Sequence, residues 1–498
     1  MDVIYSPMPF MALLSSAVAV VLIALSYKRP NLREFWTIAA GVAKFVIVLS
    51  MLPEVLAGRV IEFSLLEVAP GLEIAFRADA MGMLFALTAS FLWIVTSFYS
   101  IGYVRSTNEK KQTRFFMAFA GALSAAIGVA FAANMFTLFI FYEVITFCTF
   151  PLVAHKETKE ALSGARRYIV YLLGTSLAFQ LFAIFLTYHL AGTLDFVPGG
   201  ILAGTGSKTI LTIIFFLFIF GITKAAMMPF HSWLPAAMVA PTPASALLHA
   251  VAVVKAGVFT VVKVVLFIFG VDLLKELGLG TVLMYFASFT IITASIVAVK
   301  QDNLKKRLAY STISQLSYIV FAVALLSPSG ITGSTLHIVI HAFGKITLFF
   351  AAGAIYVAHH KTKVSELDGI GYTMPFTMIA FTLGALSMIG VPPLGGFISK
   401  WYMFAGAIEA KHIPIIIMLA VSTVLNAAYF LPIIYAAFFK KPKQADASGG
   451  IVTGVHEAPA FMVVPLVLTS IGALMLFFAP TIFLDLARIV VASVTGGG

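Results

Sequence analysis

The feature that most constrains this chain is a succession of apolar runs, about 18–28 residues each, separated by short polar stretches. A helix rises about 1.5 Å per residue, so each run can cross the roughly 30 Å hydrocarbon layer of a membrane. Charged residues make up 11% of the chain, against about 25% in a soluble domain, and the mean hydropathy is +1.02. No polar stretch is long enough to fold separately. An all-α polytopic membrane protein with one membrane domain is therefore expected.

The runs predict fourteen spans, at 9–27, 36–56, 80–104, 115–133, 135–153, 168–191, 209–229, 243–270, 279–299, 308–327, 332–358, 374–406, 413–439 and 460–485. Charge tests this division independently, because short cytoplasmic loops collect Lys and Arg. With the N-terminus outside, twenty of the 32 basic residues fall in inner loops and six in outer segments (Arg59, Arg77, Lys208, Lys275, Lys411 and Arg488). Both termini are then outside a cell (plasma) membrane, and the net charge of +11 reflects topology, so a nucleic-acid partner is not expected. The first run lacks a small-residue cleavage site and is followed by Lys28, Arg29 and Arg33, which suits a retained helix.

Outside the spans, segment 57–79 alternates at Val60-Ile61-Glu62-Phe63-Ser64-Leu65 and carries a turn signal at Pro70-Gly71, so an outer β-hairpin is expected. Segment 442–459, with Ser448-Gly449-Gly450, reads as an exposed inner loop. The single cysteine, Cys148, excludes a disulfide and an all-cysteine iron–sulfur cluster within the chain. No Gly-rich nucleotide loop follows a strand-like segment, so no dinucleotide site is expected. No cofactor or metal is expected either.

Buried charge carries the chemistry. Six basic residues fall inside spans, Lys44, Lys224, Lys255, Lys263, Lys345 and Lys400, with Glu143 the only carboxylate deep in one. Each costs at least about 2.5–3.5 kcal/mol at the bilayer centre. Lys263, near a span end, is open to snorkelling, and Lys44 is alone in its span. The other five sit at middling depth in five different spans, where pairing or water contact is the least costly solution. Desolvation disfavours an ammonium and a carboxylate restores it, so a lysine between a dry pocket and a movable charge can load and release a proton. Glu143 facing Lys224 would be such a pair. His337, His341 and Lys345 recur at i, i+4 and i+8, and His249 lies a turn and a half before Lys255. These histidines extend a relay, or are satisfied core residues or haem ligands.

Prolines interrupt two of the charged spans. Pro229 follows Lys224 by five residues, with Pro235, Pro241 and Pro243 beyond it, and Pro392-Pro393 precede Lys400 by eight. Unwound backbone is tolerated in a membrane only where protein or water meets its polar groups. Paired breaks in corresponding halves mark an inverted-repeat transporter, and these two lie in the seventh and twelfth spans. Ordinary proline kinks are the alternative.

The stretch GITKAAMMPFHSWLPAAMVAPTPASALLHAVAVVKAGV (221–258) closely resembles the signature of the antiporter-like family shared by respiratory complex I, Mrp-type multisubunit sodium/proton antiporters and membrane-bound energy-converting hydrogenases. NMFTLFIFYEVIT (134–146), DNLKKRLAYSTISQLSYI (302–319), HIVIHAFGKITLFF (337–350) and GVPPLGGFISKW (390–401) extend the resemblance over about 80–430. It implies fourteen helices with two inverted five-helix repeats, each containing a broken helix. The domains would be 1–114 (spans 1–3 with the hairpin-like loop), 115–270 (first repeat), 279–439 (second repeat) and 440–498 (inner loop and last span). By residue it implies Glu143 and Lys224 as coupling pair, Lys255 as central relay, His337, His341 and Lys345 as its continuation, and Lys400 guarding the second half-channel. Some family members carry glutamate at the Lys400 position, and many carry an acidic residue near the Trp-Leu-Pro step, where this chain has Ala236 and Ala237. The long lateral helix of the largest complex I subunit is not expected, which favours Mrp antiporters and membrane-bound hydrogenases or related reductases as hosts. The expected function is proton translocation within a complex of other membrane subunits, any sodium passing through those. A self-sufficient cation or solute carrier is the alternative, and a quinone-binding redox enzyme fits the sequence poorly.

Overall fold

The computed structural model describes residues 2–69, 71–441 and 454–496. Pro70 of the expected turn, and Ser448, Gly449 and Gly450 with most of the expected inner loop, lie outside the described residues. The protein is mostly helical. Among the described residues, eleven helices are long and apolar enough to cross a membrane, and two shorter apolar ones, Lys208–Gly221 and Pro375–Ile389, accompany them. The chain is a multi-pass membrane protein.

Lipid offers no partner to the free N–H groups of a helix start, so the sequence supplies them. Asp79, Asn134, Thr158, Ser207, Asn303 and Ser327 each precede a helix and accept a hydrogen bond from a first-turn N–H with the side chain. Two helices form the centre of the bundle: the most apolar 18-residue stretches of Thr242–Phe269 and Pro328–His359 are 100% buried, whereas those of Met8–Leu25, Lys159–Ala191 and Ile413–Phe439 are 33% buried. Ionisable groups on the two central helices are thus surrounded by protein rather than lipid, the setting in which intramembrane charge is tolerated.

One end of the bundle carries a small sheet. The expected hairpin forms from β2 (Val60–Ala69) and β3 (Leu72–Ala78), paired antiparallel, and β1 (Val3–Tyr5) adds a parallel third strand. Three residues at the N-terminus gave no period on which that strand could be read. Bridges Phe76↔Ala132 and Asn134↔Asp195 bring the neighbouring helix connections to the same end.

Basic loops gather at the opposite end. Arg33 donates to Gln112 and Thr113, Arg105 bonds Glu34, Glu157 accepts from Lys111 and Arg114, and Asn303 pairs with Lys363. His155 lies in this layer, edge-on to Phe115 at 5.5 Å. Burial, and then the charge of Arg114, push its pKa down to about 4. A depressed histidine contributes stability at neutral pH that is lost as pH falls from about 6.5 towards about 4. The thermal midpoint should therefore fall less steeply across that window in His155→Phe than in the natural protein, measured by scanning at fixed pH steps.

The last expected span, 460–485, is two helices, Ala460–Phe478 and Thr481–Val494. Pro480 has no N–H to donate and pushes Ala479 (φ −133°, ψ 60°) out of helical geometry. The second helix buries Leu486, Ala487, Val490 and Val494 on one face and rests on Ala80–Ser106 and Pro328–His359.

Candidate functional site

The expected span 209–229 ends early, at Gly221, three residues before Lys224 and eight before Pro229. Thr223–Ala225 forms one tight turn, Ala226 takes a left-handed conformation (φ 55°), and regular helix resumes only at Trp233, past Pro229. Side chains meet the polar groups of this unwound stretch: Trp233 Nε1 donates to the Thr223 carbonyl at 3.0 Å, and the Thr175 and Thr223 hydroxyls lie 2.7 Å apart.

Lys224 sits in that turn, wholly buried. Its Nζ lies 3.8 Å from Glu143, donates to the Tyr142 carbonyl at 2.8 Å and stands 3.1 Å from the Tyr142 ring centroid. Glu143 is 8% exposed, and neither of its carboxylate oxygens has a hydrogen-bond partner among the described residues. The lysine is therefore the principal compensation for that carboxylate. A buried carboxylate so poorly solvated is poised to respond to any change in its partner.

At the second break, Pro375–Ile389 stops at Gly390 (φ 92°) and the chain resumes as Gly395–Glu409, with Pro392 and Pro393 between. Lys400 reaches back across the gap to donate to the Ile389 carbonyl at 2.8 Å. A cation on the last carbonyls of a half-helix also meets the negative end of its dipole. The same ammonium lies over the Tyr318 ring at 4.9 Å.

Between the breaks, Lys255 Nζ and His341 Nδ1 lie 2.7 Å apart and join the two central helices. His337 contacts Ser399 Oγ at 2.8 Å through Nδ1 and Gln315 Oε1 at 3.0 Å through Nε2, which links it to the residue before Lys400. Lys345 donates to Ser311 Oγ at 2.6 Å. Ser311 then continues through the Tyr429 hydroxyl (3.0 Å), Asn426 (2.6 Å) and the Tyr318 hydroxyl (3.4 Å). The three share one helix face but meet different partners: His341 reaches Thr242–Phe269, His337 reaches Leu304–Ala324 and Gly395–Glu409, and Lys345 reaches Leu304–Ala324. His249 is brought into no hydrogen bond; both ring nitrogens lack partners among the described residues, and its ring lies 4.6 Å from Phe349.

Two lysines separate from this group. Lys44 donates to the Leu123 carbonyl at 3.0 Å and lies over Trp93 at 4.4 Å. Lys263 does not snorkel but pairs with Asp79 at 2.5 Å, the residue that caps Ala80–Ser106. Tyr142, Ser311, Gln315, Tyr318, Ser399 and Tyr429 were not singled out from the sequence. Ser311 and Gln315 recur at i, i+4 within the quoted 302–319 stretch, which is the signal that would have found them.

Two interrupted helices around a doubly buried central pair, with lysines and histidines bonded between them, define an antiporter-like membrane subunit. The chain belongs to the NADH:quinone oxidoreductase/Mrp antiporter transmembrane family, whose model matches residues 132–426. It is 31% identical to the NADH-quinone oxidoreductase subunit N of Desulforudis audaxviator over 82% of each chain. It is 30% identical to a probable K(+)/H(+) antiporter component of Rhizobium meliloti, over 89% of this chain but 44% of that longer one. Its fold matches a chain of an archaeal membrane-bound sulfane sulfur reductase with a TM-score of 0.86, at 23% identity and with 98% of both chains covered.

Proposed function

We propose that this chain is the proton-translocating, antiporter-like subunit of a multisubunit ion-pumping complex, an Mrp-type sodium/proton antiporter or a membrane-bound hydrogenase or related reductase. Protons move along Glu143, Lys224, Lys255, His249, His341, His337, Lys345 and Lys400, and the driving reaction belongs to partner subunits. The observation that carries this reading is the Lys224–Glu143 pair in an unwound turn, 3.8 Å apart with the carboxylate otherwise unbonded among the described residues. Such a pair changes state when charge moves nearby, which a fixed, fully satisfied tie does not.

The finer architecture is part of the proposal: fourteen passes, both termini outside the cell membrane, and inverted five-helix units at 115–270 and 279–439. It is supported by a correspondence between the breaks. Lys224 lies over Tyr142 and Lys400 over Tyr318, each ring two spans earlier than its lysine. The lysines along this path repel a metal cation, so any sodium passes through other subunits.

The purified chain, reconstituted alone in liposomes, should leave an imposed pH gradient intact, while the assembled complex acidifies or alkalises its vesicles when driven. Rapid dissipation of a sodium or proton gradient by the chain alone would instead make it a self-sufficient carrier.

A further inference from the structure

At the basic end, a cavity of about 780 Å³ opens beside the broken helix, lined by Lys156, Arg167, Lys305, Lys306 and Lys361 with Glu160. Four cations and Lys305, whose pKa burial pushes down to about 7, thus face one carboxylate. Glu366 and Asp368 act on Lys361 and Glu109 on Lys156 from outside the recess, and Glu160 is the one carboxylate among its lining residues. The deepest of the basic residues, Lys305, donates to the Ala240 carbonyl at 2.6 Å, which satisfies one N–H and cancels no charge. Thr242 and Ala352, from the two central helices, also line the recess. The cavity is thus a mouth over the buried chain of ionisable groups.

A recess with that charge imbalance repels cations and holds anions, and basic pockets between membrane helices at the cytoplasmic face take phosphate head groups. Apolar Pro235, Met238 and Val239 on the same wall suit acyl chain. We propose that this cavity binds a phosphate-bearing anion, an acidic lipid head group or free phosphate, which supplies the missing negative charge. Binding itself is independent of the transport reading. If that reading is right, the anion also relieves the repulsion that a ring of cations would exert on an entering proton.

The test uses the full chain in nanodiscs of phosphatidylcholine containing a minor fraction of phosphatidylglycerol, with retained lipid counted by native mass spectrometry. Lys156→Gln/Lys305→Gln/Lys361→Gln should retain phosphatidylglycerol about tenfold less or worse, since each basic residue adds roughly a further several-fold to such binding. The triple Lys→Arg variant should retain it normally. Lys28→Gln/Arg29→Gln/Lys110→Gln, which removes equal charge elsewhere at that end, should match the natural protein. In discs of phosphatidylcholine alone, inorganic phosphate is followed by phosphorus NMR. Line broadening that vanishes in the Gln triple variant, without lipid retention, identifies free phosphate as the occupant. If the triple variant does not fold, Lys361→Gln alone should still lower retention several-fold. Equal retention in all variants with no phosphate broadening, or equal loss in the remote control, overturns the proposal. Because no gradient is applied, failure here leaves the proton pathway standing.

Discussion

Lys224→Arg should assemble with its partner subunits and pump at least about a hundredfold more slowly than the natural protein. The substitution keeps a positive charge opposite Glu143, so a purely structural ion pair survives it. It removes the ability to give up a proton: a guanidinium holds its proton far more tightly than an ammonium, at least about two decades less deprotonated at any pH. Vesicles carrying the assembled complex, read by a pH-sensitive dye while the driving reaction is followed separately, give the measurement. Pumping at half the natural rate would reduce Lys224 to a helix tie and sink the proposed role. The partner test is energetic. Glu143 has no hydrogen bond among the described residues, so Lys224→Met leaves a buried carboxylate with nothing to hold its charge, a loss of about 3–5 kcal/mol. Glu143→Gln added to Lys224→Met should recover part of the lost thermal stability while pumping stays absent.

The ionisable pairs were legible to different depths, for physical reasons. Glu143 facing Lys224 could be read because charge at lipid depth is costly enough to demand a partner, and only one carboxylate was at hand. The two breaks were legible because proline removes a donor wherever it stands. What the sequence hid was direction. Lys263 looked free to snorkel because its partner, Asp79, is 184 residues away and reads as an ordinary helix cap. Similarly, His337, His341 and Lys345 share a helix face, yet which neighbouring helix stands opposite each of them, so that one meets Lys255 and another Ser311, is set by packing. The helical irregularities at Ser176–Gln180, Leu247–Val251 and Val264–Phe269 carry no proline signal, and only packing reveals them. The amphipathic Thr481–Val494 was hidden because its apolar face continues the hydropathy of the span before it.

Gly257→Ala should lower pumping about tenfold or more and lower the thermal midpoint, although every ionisable residue remains. In the middle of Val253–Lys263, alanine would ordinarily favour the helix by about 1 kcal/mol. Here a Cβ would stand 2.2 Å from both the Lys224 carbonyl carbon and the Ala225 nitrogen, and backbone atoms cannot rotate aside as a side-chain tip can. Overpacking of this kind costs about 1–3 kcal/mol. Val253–Lys263 is a regular hydrogen-bonded helix in the wholly buried centre of the bundle, whereas the turn is held by a few side-chain bonds from Trp233 and Thr175. The turn is the part that yields. Its movement carries Lys224 away from the Tyr142 carbonyl, at 2.8 Å, and from Glu143, at 3.8 Å. Gly174→Ala supplies the control, because nothing lies within 4 Å of its added methyl, and it should leave pumping intact and stability equal or higher. If Gly257→Ala pumped like Gly174→Ala, close approach of the central helix would not be what positions Lys224, and the turn would have to hold the lysine unaided.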